Sequence, residues 1–344
     1  SQLLKLNGAE HVKAGRGVPG DICAVPRLEE AHYDAVLHDS HEEDHYHLKS
    51  LRIARPMYGL AIKLSDDADV QKISDALHSV EAEDPSLHLE HVPALNEIVL
   101  NGLGDLHLRT VLEEIRDRYG IEVETAPPSI AYRETVTAPA EGHHRHKKQT
   151  GGAGQFGEVY LRIEPLEAGE GFEFKSEVVG GAIPSGLIPA VETGVRQVME
   201  SGAVAGYPMQ DVRVVVYDGK YHTVDSKEIA FVQAGRKAFM DAVEKASPVI
   251  MEPIVDVVFR VPADCVGAVT GDLSGMRGIV SGTAVLGENR MEISGQAPLE
   301  EIQGYHSRLK SLSGGEGRLS MEFSHYARVP HNIQERLIAA HSDS

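Results

Sequence analysis

The sequence is poor in cysteine and in positive charge, and both shortages exclude classes of protein. Its 344 residues include two cysteines, Cys23 and Cys265, far apart in the chain. This argues against a disulfide framework and favours a reduced compartment. Lysine and arginine number 33 against 52 acidic residues, for a net charge of −19. This balance argues against a general nucleic-acid coat. A local contact stays possible, because charges farther away than roughly 8 Å are screened at physiological salt.

Long apolar runs are also missing. No stretch approaches eighteen consecutive apolar residues, so we expect no transmembrane span, no membrane partner and a cytoplasmic location. The sequence starts without Met and without the pattern of a signal peptide, so we expect it to begin inside a longer protein. A length of 344 residues exceeds one typical core and predicts two to four domains.

Two segments share the order β-α-β-β-α-β, which is typical of a ferredoxin-like sandwich. In the first, at 56–130, strands are predicted at 57–64, 87–92, 97–103 and 121–125, and each helix has apolar residues on one face. In the second, at 251–328, strands are predicted at 254–261, 278–286, 290–294 and 319–326, with helices at 265–273 and 299–312. The repeat predicts an α+β multidomain protein.

The other segments are less regular. The middle block, 131–250, predicts strands near 158–164, 172–179 and 212–217 and helices near 185–201 and 226–246. Residues 1–39 predict short strands at 1–6 and 21–25 and look like the end of a β-barrel. Residues 40–55 have the composition of a linker, and 329–344 predict a helix that starts near Pro330, followed by a tail.

A basic run enters a glycine-rich loop at 143–157. Arg145, Lys147 and Lys148 are interpreted as phosphate contacts, with a solvated charge run as the alternative. Gly151, Gly152 and Gly154 leave backbone N–H groups uncovered for RNA oxygens, and Gln155 offers both donors and acceptors. Because ordering costs roughly 1–2 kcal/mol per residue, we expect a mobile loop in the free chain. The alternative is a plain hairpin turn.

Histidines supply two further hypotheses. His222 follows a turn that begins at Asp218, and its ring could stack on a base or donate to a phosphate; a surface histidine at a helix entrance is the alternative. The histidine-rich segments 32–47 and 143–146 could bind Zn²⁺ or Ni²⁺, but no spacing matches a closed tetrahedral site. We therefore predict no metal.

Several motifs, taken together, resemble bacterial elongation factor G, the translational GTPase that drives ribosomal translocation. They are Asn-Gly-Leu-Gly-Asp-Leu-His-Leu at 101–108, Ala-Tyr-Arg-Glu-Thr at 131–135, Gln-Thr-Gly-Gly-Ala-Gly-Gln-Phe-Gly at 149–157, Val-Gly-Gly-Ala-Ile-Pro at 179–184, Asp-Gly-Lys-Tyr-His-Thr-Val-Asp-Ser at 218–226 and Gly-Asp-Leu at 271–273. The resemblance runs in order over nearly the whole chain, from the end of the family's second domain to its C-terminus.

The resemblance implies a domain for each segment. Residues 1–39 would end domain II, 56–130 would be domain III, and 131–250 would be domain IV, with a left-handed βαβ crossover. Residues 251–328 would be domain V, and the last helix would pack near the junction of domains IV and V. His222 would lie beside the glycine loop at the domain IV tip, and Arg277 would meet large-subunit RNA.

The resemblance also implies a function. The chain would be the ribosome-binding arm of a monomeric translation factor, and its domain IV tip would enter the ribosomal A site to promote tRNA–mRNA translocation. Expected partners are RNA of both ribosomal subunits, tRNA, mRNA and the parent protein's own GTPase domain. The sequence contains no Gly-x-x-x-x-Gly-Lys-[Ser/Thr]. We therefore expect no enzyme activity and no cofactor in this chain, with GTP and Mg²⁺ in the missing domain.

Two departures from the family pattern keep other functions open. Ala153 stands where the family usually has arginine, and the segment Ser274-Gly275-Met276 has lost two arginines. With the basic run at 143–148, these changes resemble second-type paralogues of the factor. One alternative is a ribosome protection or recycling factor of the same architecture. Another is a free-standing RNA- or metal-binding protein.

Overall fold

The computed structural model describes residues 2–8, 10–28, 33–38, 40–43, 45–49, 53, 56, 58–63, 70–93, 95–148, 154–287 and 289–342. The chain divides into two compact units, one of 1–91 with 98–127 and one of 92–97 with 128–344. Within the described ranges, every helix is too short or too polar to cross a lipid bilayer.

An N-terminal hairpin opens the chain. Strand β1 (Leu3–Asn7) pairs antiparallel with β2 (Glu10–Ala14), and Gly8, at φ 62°, starts the turn directly after the last pair, Asn7 with Glu10. The strand predicted at 21–25 is wrong, because only Ala24 bridges to β1, through Leu4. The segment reaches Pro26, which has no N–H to continue a ladder.

The next elements are β3 (Tyr58–Lys63), α1 (Val70–Glu83), β4 (His88–Val92), β5 (Glu97–Gly102), α2 (Asp105–Tyr119) and β6 (Glu124–Ala126). They form a ferredoxin-like sandwich with the sheet order β4-β5-β3-β6. Both helices bury an apolar stripe against the sheet: Ile73, Ala76, Leu77 and Val80 in α1 and Leu108, Val111 and Ile115 in α2. Gly120, at φ 67°, ends α2 as a left-handed cap.

The middle block begins with β7 (Arg133–Val136) and contains a four-stranded sheet covered by two helices. The sheet order is β10-β11-β9-β8, and β10 and β11 are parallel. The strands are β8 (Ala140–Lys148), β9 (Gln155–Pro165), β10 (Phe172–Ser176) and β11 (Val212–Lys220), and the helices are α3 (Ile188–Ser201) and α4 (Glu228–Lys245). Helix α3 connects the parallel pair, and the hand of that crossover stays a prediction.

Glycines allow the two helices and the sheet to pack closely. A Cβ on Gly142 of β8 would lie 2.0 Å from the Ala238 carbonyl oxygen of α4. A Cβ on Gly194 of α3 would lie 2.1 Å from the Val232 carbonyl oxygen of α4. Since no real Cβ approaches another atom so closely, these backbone contacts require glycine. They fix α4 against one face of the sheet, and among the described residues of this block α3 packs into the same core; the opposite face is called the helix-free face below.

The C-terminal block is a second ferredoxin-like sandwich with the same sheet order, β13-β14-β12-β15. Its elements are β12 (Pro248–Pro262), α5 (Val266–Gly275), β13 (Ile279–Val285), β14 (Arg290–Pro298), α6 (Leu299–Ile302), α7 (Tyr305–Leu312) and β15 (Arg318–Arg328). The single helix predicted at 299–312 is wrong. It is broken at Gln303 and Gly304, where Gly304 takes φ 79°.

Strand β12 belongs to two parts of the second unit. Its first four residues pair with β7, and the rest pairs with β14 and β15. Helix α8 (His331–Ser342) packs beside this junction, where Ile333 and Val329 are buried with Tyr132, Ala205 and Ile250. The expected position of the last helix is therefore confirmed, as is the α+β multidomain fold.

Candidate nucleic-acid interface

The basic run is a strand and not part of the predicted loop. Residues 143–148 belong to β8, so successive side chains point to opposite faces of the sheet. Gly142 faces α4, and this places His143, Arg145 and Lys147 on the helix-free face. His144 lies on the helix side, where burial, together with Lys237 and the neighbouring His146, lowers its pKa.

Side chains of β8 cover aromatic rings of β9 on the helix-free face. The Arg145 guanidinium lies 5.2 Å from the centre of the Phe156 ring, and the His143 ring stacks on Tyr160 at a centroid distance of 4.0 Å. Both pairs combine a π surface with a cationic or protonatable group. The tip end of this face therefore offers the two chemical features that bind single-stranded nucleic acid.

A buried carboxylate lies beneath this layer. Glu158 accepts hydrogen bonds from His143 Nε2 at 2.9 Å and from the Tyr160 hydroxyl at 3.2 Å, and Lys220 Nζ is 4.0 Å from its second oxygen. Burial alone would raise the Glu158 pKa. The His143 and Tyr160 bonds and the charges of Lys220 and Arg145 together lower it. Glu158 is therefore a fixed anion that holds His143 in place.

The turn that carries His222 is tied to β9. The His222 N–H donates to Ser226 Oγ at 2.8 Å, and that hydroxyl donates to the Phe156 carbonyl at 2.8 Å. Two backbone N–H groups, of Val224 and Asp225, point at His222 Nδ1 from 3.4 and 3.3 Å. Nδ1 is therefore an acceptor, and the neutral ring carries its hydrogen on Nε2. The ring is 55% exposed and offers that N–H to a ligand.

Four chain segments line a pocket of about 530 Å³ at this end of the sheet. Six of the predicted site residues line it: Arg145, Lys147, Lys148, Gly154, Gln155 and His222. They lie at the end of β8, at the start of β9 and in the turn after β11. The structure thus brings together residues that are up to 77 positions apart in the sequence.

The sequence analysis missed other residues of the pocket. Phe156, Lys220, Tyr221 and Asp225 also line it, with Ala182 and Gly219. Lys220, Tyr221 and Asp225 belong to the same family-like motif as His222, so the motif was the available signal. Gly219 is required there, since a Cβ would lie 2.4 Å from the Glu158 carbonyl oxygen.

Two predicted contacts fall outside the described residues. Gly151 and Gly152 belong to 149–153, and so does most of the loop that was expected to be mobile. Gly154 and Gln155 are described. The Gln155 Oε1 atom is 3.1 Å from His146 Nε2, so its amide NH₂ group stays available as a donor. Within the part of the chain that the structure describes, no three histidine, cysteine, aspartate or glutamate side chains converge on a possible metal position.

Arg277 lies apart from this pocket and is engaged within the protein. Its guanidinium bonds both carboxylate oxygens of Glu252, at 2.6 and 2.9 Å, and Glu301 at 2.9 Å. Glu252 is 2% exposed, and these carboxylates raise the pKa of Arg277 further. A bidentate ion pair with a buried partner is a structural element. Three of its five N–H donors therefore have partners within the protein, and the expectation that Arg277 meets RNA stays a prediction.

The order of the domains is that of a known protein family. Family models match three consecutive segments: elongation factor G domain III at 53–127, elongation factor G domain IV at 128–247 and the elongation factor G C-terminus at 249–337. The chain belongs to the elongation factor G family and contains domains of it other than the GTPase domain.

Two curated relatives agree with the family models. The chain is 42% identical over 337 residues to elongation factor G of Aquifex pyrophilus, which covers 98% of this chain and 47% of the relative. It is 39% identical over 320 residues to the elongation factor G-like protein of Thermotoga maritima, which covers 93% and 47%. The chain thus spans about half the length of these relatives.

A solved structure supports the fold as well. A crystal structure of a protein from Thermus thermophilus matches the whole chain, and 51% of its own chain, with a TM-score of 0.82 and 34% identity.

Proposed function

We propose that this chain is the ribosome-binding arm of an elongation-factor-G-like protein and promotes tRNA–mRNA translocation. The domain IV tip, which carries the pocket, enters the A site of the small ribosomal subunit and contacts tRNA and mRNA. The other partners are RNA of both ribosomal subunits and the parent's GTPase domain. GTP and Mg²⁺ bind in that domain, which lies outside this sequence, and the parent acts as a cytoplasmic monomer.

The pocket is the observation that carries this proposal. Four cationic side chains, Arg145, Lys147, Lys148 and Lys220, line it together with the exposed ring of His222. In a chain of net charge −19, such a local concentration of positive charge matches a local polyanion. Rings beside cations match the bases and phosphates of RNA that is not in a duplex.

The mechanism is mechanical and involves no side-chain chemistry on a substrate. The nucleotide bound in the GTPase domain determines which orientation of domains III to V is most populated. In the orientation that enters the A site, the tip keeps tRNA and mRNA from slipping back. The residues of this chain supply binding and positioning. His222 is preoriented for this by the bonds that connect its turn to Phe156.

Substitution of His222 in the longer protein tests the proposal. His222→Ala removes an exposed donor and ring, and we expect translocation to slow about tenfold, in line with the 1–3 kcal/mol of one base–aromatic contact. GTP hydrolysis should stay near the wild-type rate. The control is His11→Ala, at an exposed position of β2. A translocation rate unchanged by His222→Ala, measured by pre-steady-state fluorescence, would remove the role.

A recycling function is the second candidate, and one observation favours it. The two arginines lost at Ser274–Met276, together with the inward engagement of Arg277, leave domain V with less charge for large-subunit RNA. An assay of ribosome splitting on the same longer protein separates the candidates. Splitting without translocation would support recycling, and translocation without splitting would support the first proposal.

A further inference from the structure

The pocket contains one feature that does not suit a simple phosphate site. Among the described residues that line it, four are cations and one, Asp225, is an anion. A carboxylate repels a phosphate group, so Asp225 would weaken a site evolved only for phosphates. It accepts hydrogen bonds and donates none when ionised. Its presence calls for a ligand that combines negative charge with an N–H or O–H donor.

The position of Asp225 is fixed by its neighbours. Its backbone carbonyl accepts the Phe156 N–H at 3.0 Å, and its own backbone N–H points at His222 Nδ1 from 3.3 Å. A Cβ on Gly154 would come within 2.8 Å of the Asp225 carboxyl carbon, so glycine at 154 makes room for this carboxylate. The side chain is 33% exposed and can reach a ligand.

The surroundings of Asp225 suit a planar base. Phe156, Tyr221 and His222 line the same pocket, and Tyr221 is 45% exposed. Every base can stack on such rings, so the rings alone select none. Carboxylates accept hydrogen bonds from base amino groups, as they do from N4 of cytosine. Uracil presents a carbonyl oxygen at the corresponding position, which faces a carboxylate unfavourably.

We infer that the pocket holds one unpaired RNA base and that Asp225 makes it prefer bases with an amino group, cytosine among them, over uracil. The inference rests on the proposed function, since it assumes that this end of domain IV faces RNA. Arg145, Lys147, Lys148 and Lys220 contact the flanking phosphates. Asp225 is thus a specificity-determining residue, and the cations supply affinity for any sequence.

The test compares cytidine and uridine hexanucleotides that carry the same 5′ fluorophore, bound to this chain and followed by fluorescence anisotropy. We expect the wild-type chain to bind the cytidine hexamer about three- to tenfold more tightly, the effect of one hydrogen bond to a charged group. Asp225→Asn presents both a donor and an acceptor and should bring the two affinities within about twofold.

Asp218→Asn is the matched control. Asp218 is exposed, lies close by in the chain and is not among the pocket residues, so the variant makes the same change in charge. It should strengthen binding of both hexamers equally and leave their ratio unchanged. Equal ratios in the Asp218→Asn and Asp225→Asn variants would show that Asp225 acts only through its charge, and would overturn the inference.

The remaining outcomes separate this inference from the proposed function. Tight binding of both hexamers without a preference overturns base selection and leaves the RNA-facing pocket intact. Absence of binding by either hexamer, at low salt, overturns the RNA-facing pocket and the inference with it. A deoxycytidine hexamer adds a third arm. If Asp225→Asn abolishes a preference for RNA over DNA and not one for cytosine, the carboxylate contacts the 2′-hydroxyl, and base selection is wrong.

Discussion

Among single residues, Glu134 has the most complete set of internal partners described for a buried charge in this protein. The residue is fully buried, and its carboxylate accepts four backbone hydrogen bonds, from the N–H groups of Ala203, Val204, Ala205 and Tyr207, at 2.7 to 3.1 Å. A carboxylate that replaces its water shell with four N–H donors is satisfied without a cation. Glu134 thus fixes the loop after α3 to the start of β7.

Glu134→Gln should destabilise the second unit. The amide keeps one acceptor oxygen and turns an NH₂ group toward backbone N–H groups, so two donors lose their partner. We expect the free energy of unfolding to fall by about 2–4 kcal/mol, measured by urea denaturation. Glu200→Gln, at an exposed position of α3, is the control and should stay within about 0.5 kcal/mol of wild type. A loss below about 1 kcal/mol in Glu134→Gln would mean that the loop rearranges to satisfy its N–H groups.

At the scale of secondary-structure elements, β8 was not predicted as a strand because its sequence is mostly polar. A strand is recognised by apolar residues on alternate positions. On the face of β8 toward α4, the helix comes too close at Gly142 for any side chain, and the next two positions on that face are His144 and His146. The sequence therefore contains no apolar alternation there, and the cause lies in a helix about 100 residues further along.

The broken helix at 299–312 has a different cause. Ile302, Tyr305 and Leu309 are buried, as helical spacing predicts, but Leu312, the next apolar residue at that spacing, is 36% exposed. Gly304 adopts a left-handed conformation between them, which starts α7 in a new direction. The helical spacing of the apolar residues is nearly the same on both sides of the break. The periodicity of the sequence alone therefore does not show that the helix is interrupted.

The contact between α5 and α7 predicts a dependence of stability on pH. Arg308, bound to both carboxylate oxygens of Asp272 at 2.7 Å, and the Tyr305 hydroxyl at 2.8 Å lower the pKa of Asp272. Because the folded-state pKa lies below the unfolded value, this stabilisation is complete above about pH 5 and is lost as the pH falls through the folded-state pKa.

Asp272→Asn tests this dependence. The variant should be less stable than wild type by about 1–2 kcal/mol at neutral pH, since it loses the charge-assisted bonds to Arg308. The difference should shrink steadily below about pH 4, where the unfolded-state carboxylate takes up its proton first and the folded-state carboxylate follows at lower pH. Thermal unfolding over that range checks it, with Glu322→Gln, exposed on β15, as the control. A difference that does not change with pH would assign the effect to packing.

For the whole molecule, the charges predict two opposite effects on RNA binding. The cations of the pocket attract RNA locally, whereas the acidic composition of the chain repels it at longer range. Four cations that each release a counterion from a single strand give a slope of about −3 for the logarithm of affinity against the logarithm of salt concentration, and Arg145, Lys147 and Lys148 alone give about −2. The net charge of −19 keeps contacts elsewhere on the surface few.

Lys147→Gln tests whether the slope arises in the pocket. The variant should make the slope less negative by about 0.7, whereas Lys63→Gln, exposed on β3 in the other unit, should leave it unchanged. Anisotropy titrations of the hexanucleotides at salt concentrations of about 50–200 mM measure it. Equal slopes in wild type and Lys147→Gln would show that RNA binds elsewhere on the chain.

Much of the architecture could be predicted from the sequence because it depends on local patterns. Helical spacing and the repeated β-α-β-β-α-β order identified both sandwiches, and the motifs identified the family. The site was predicted less completely. Lys220 and Asp225 become pocket residues only when the turn after β11 lies beside β9, and Arg277 turns inward because Glu252 is buried 25 positions away. Such long-range pairings leave no local signal.

Strand β12 has a consequence for how force passes through the second unit. One continuous backbone of 15 residues hydrogen-bonds to β7, which leads into domain IV, and to the sheet of the C-terminal domain. Bending between these two parts would break hydrogen bonds of the β-ladder. A loop in the place of this strand would bend without such a loss. A load applied at the pocket would therefore be transmitted along the strand to the C-terminal sandwich, as along a lever.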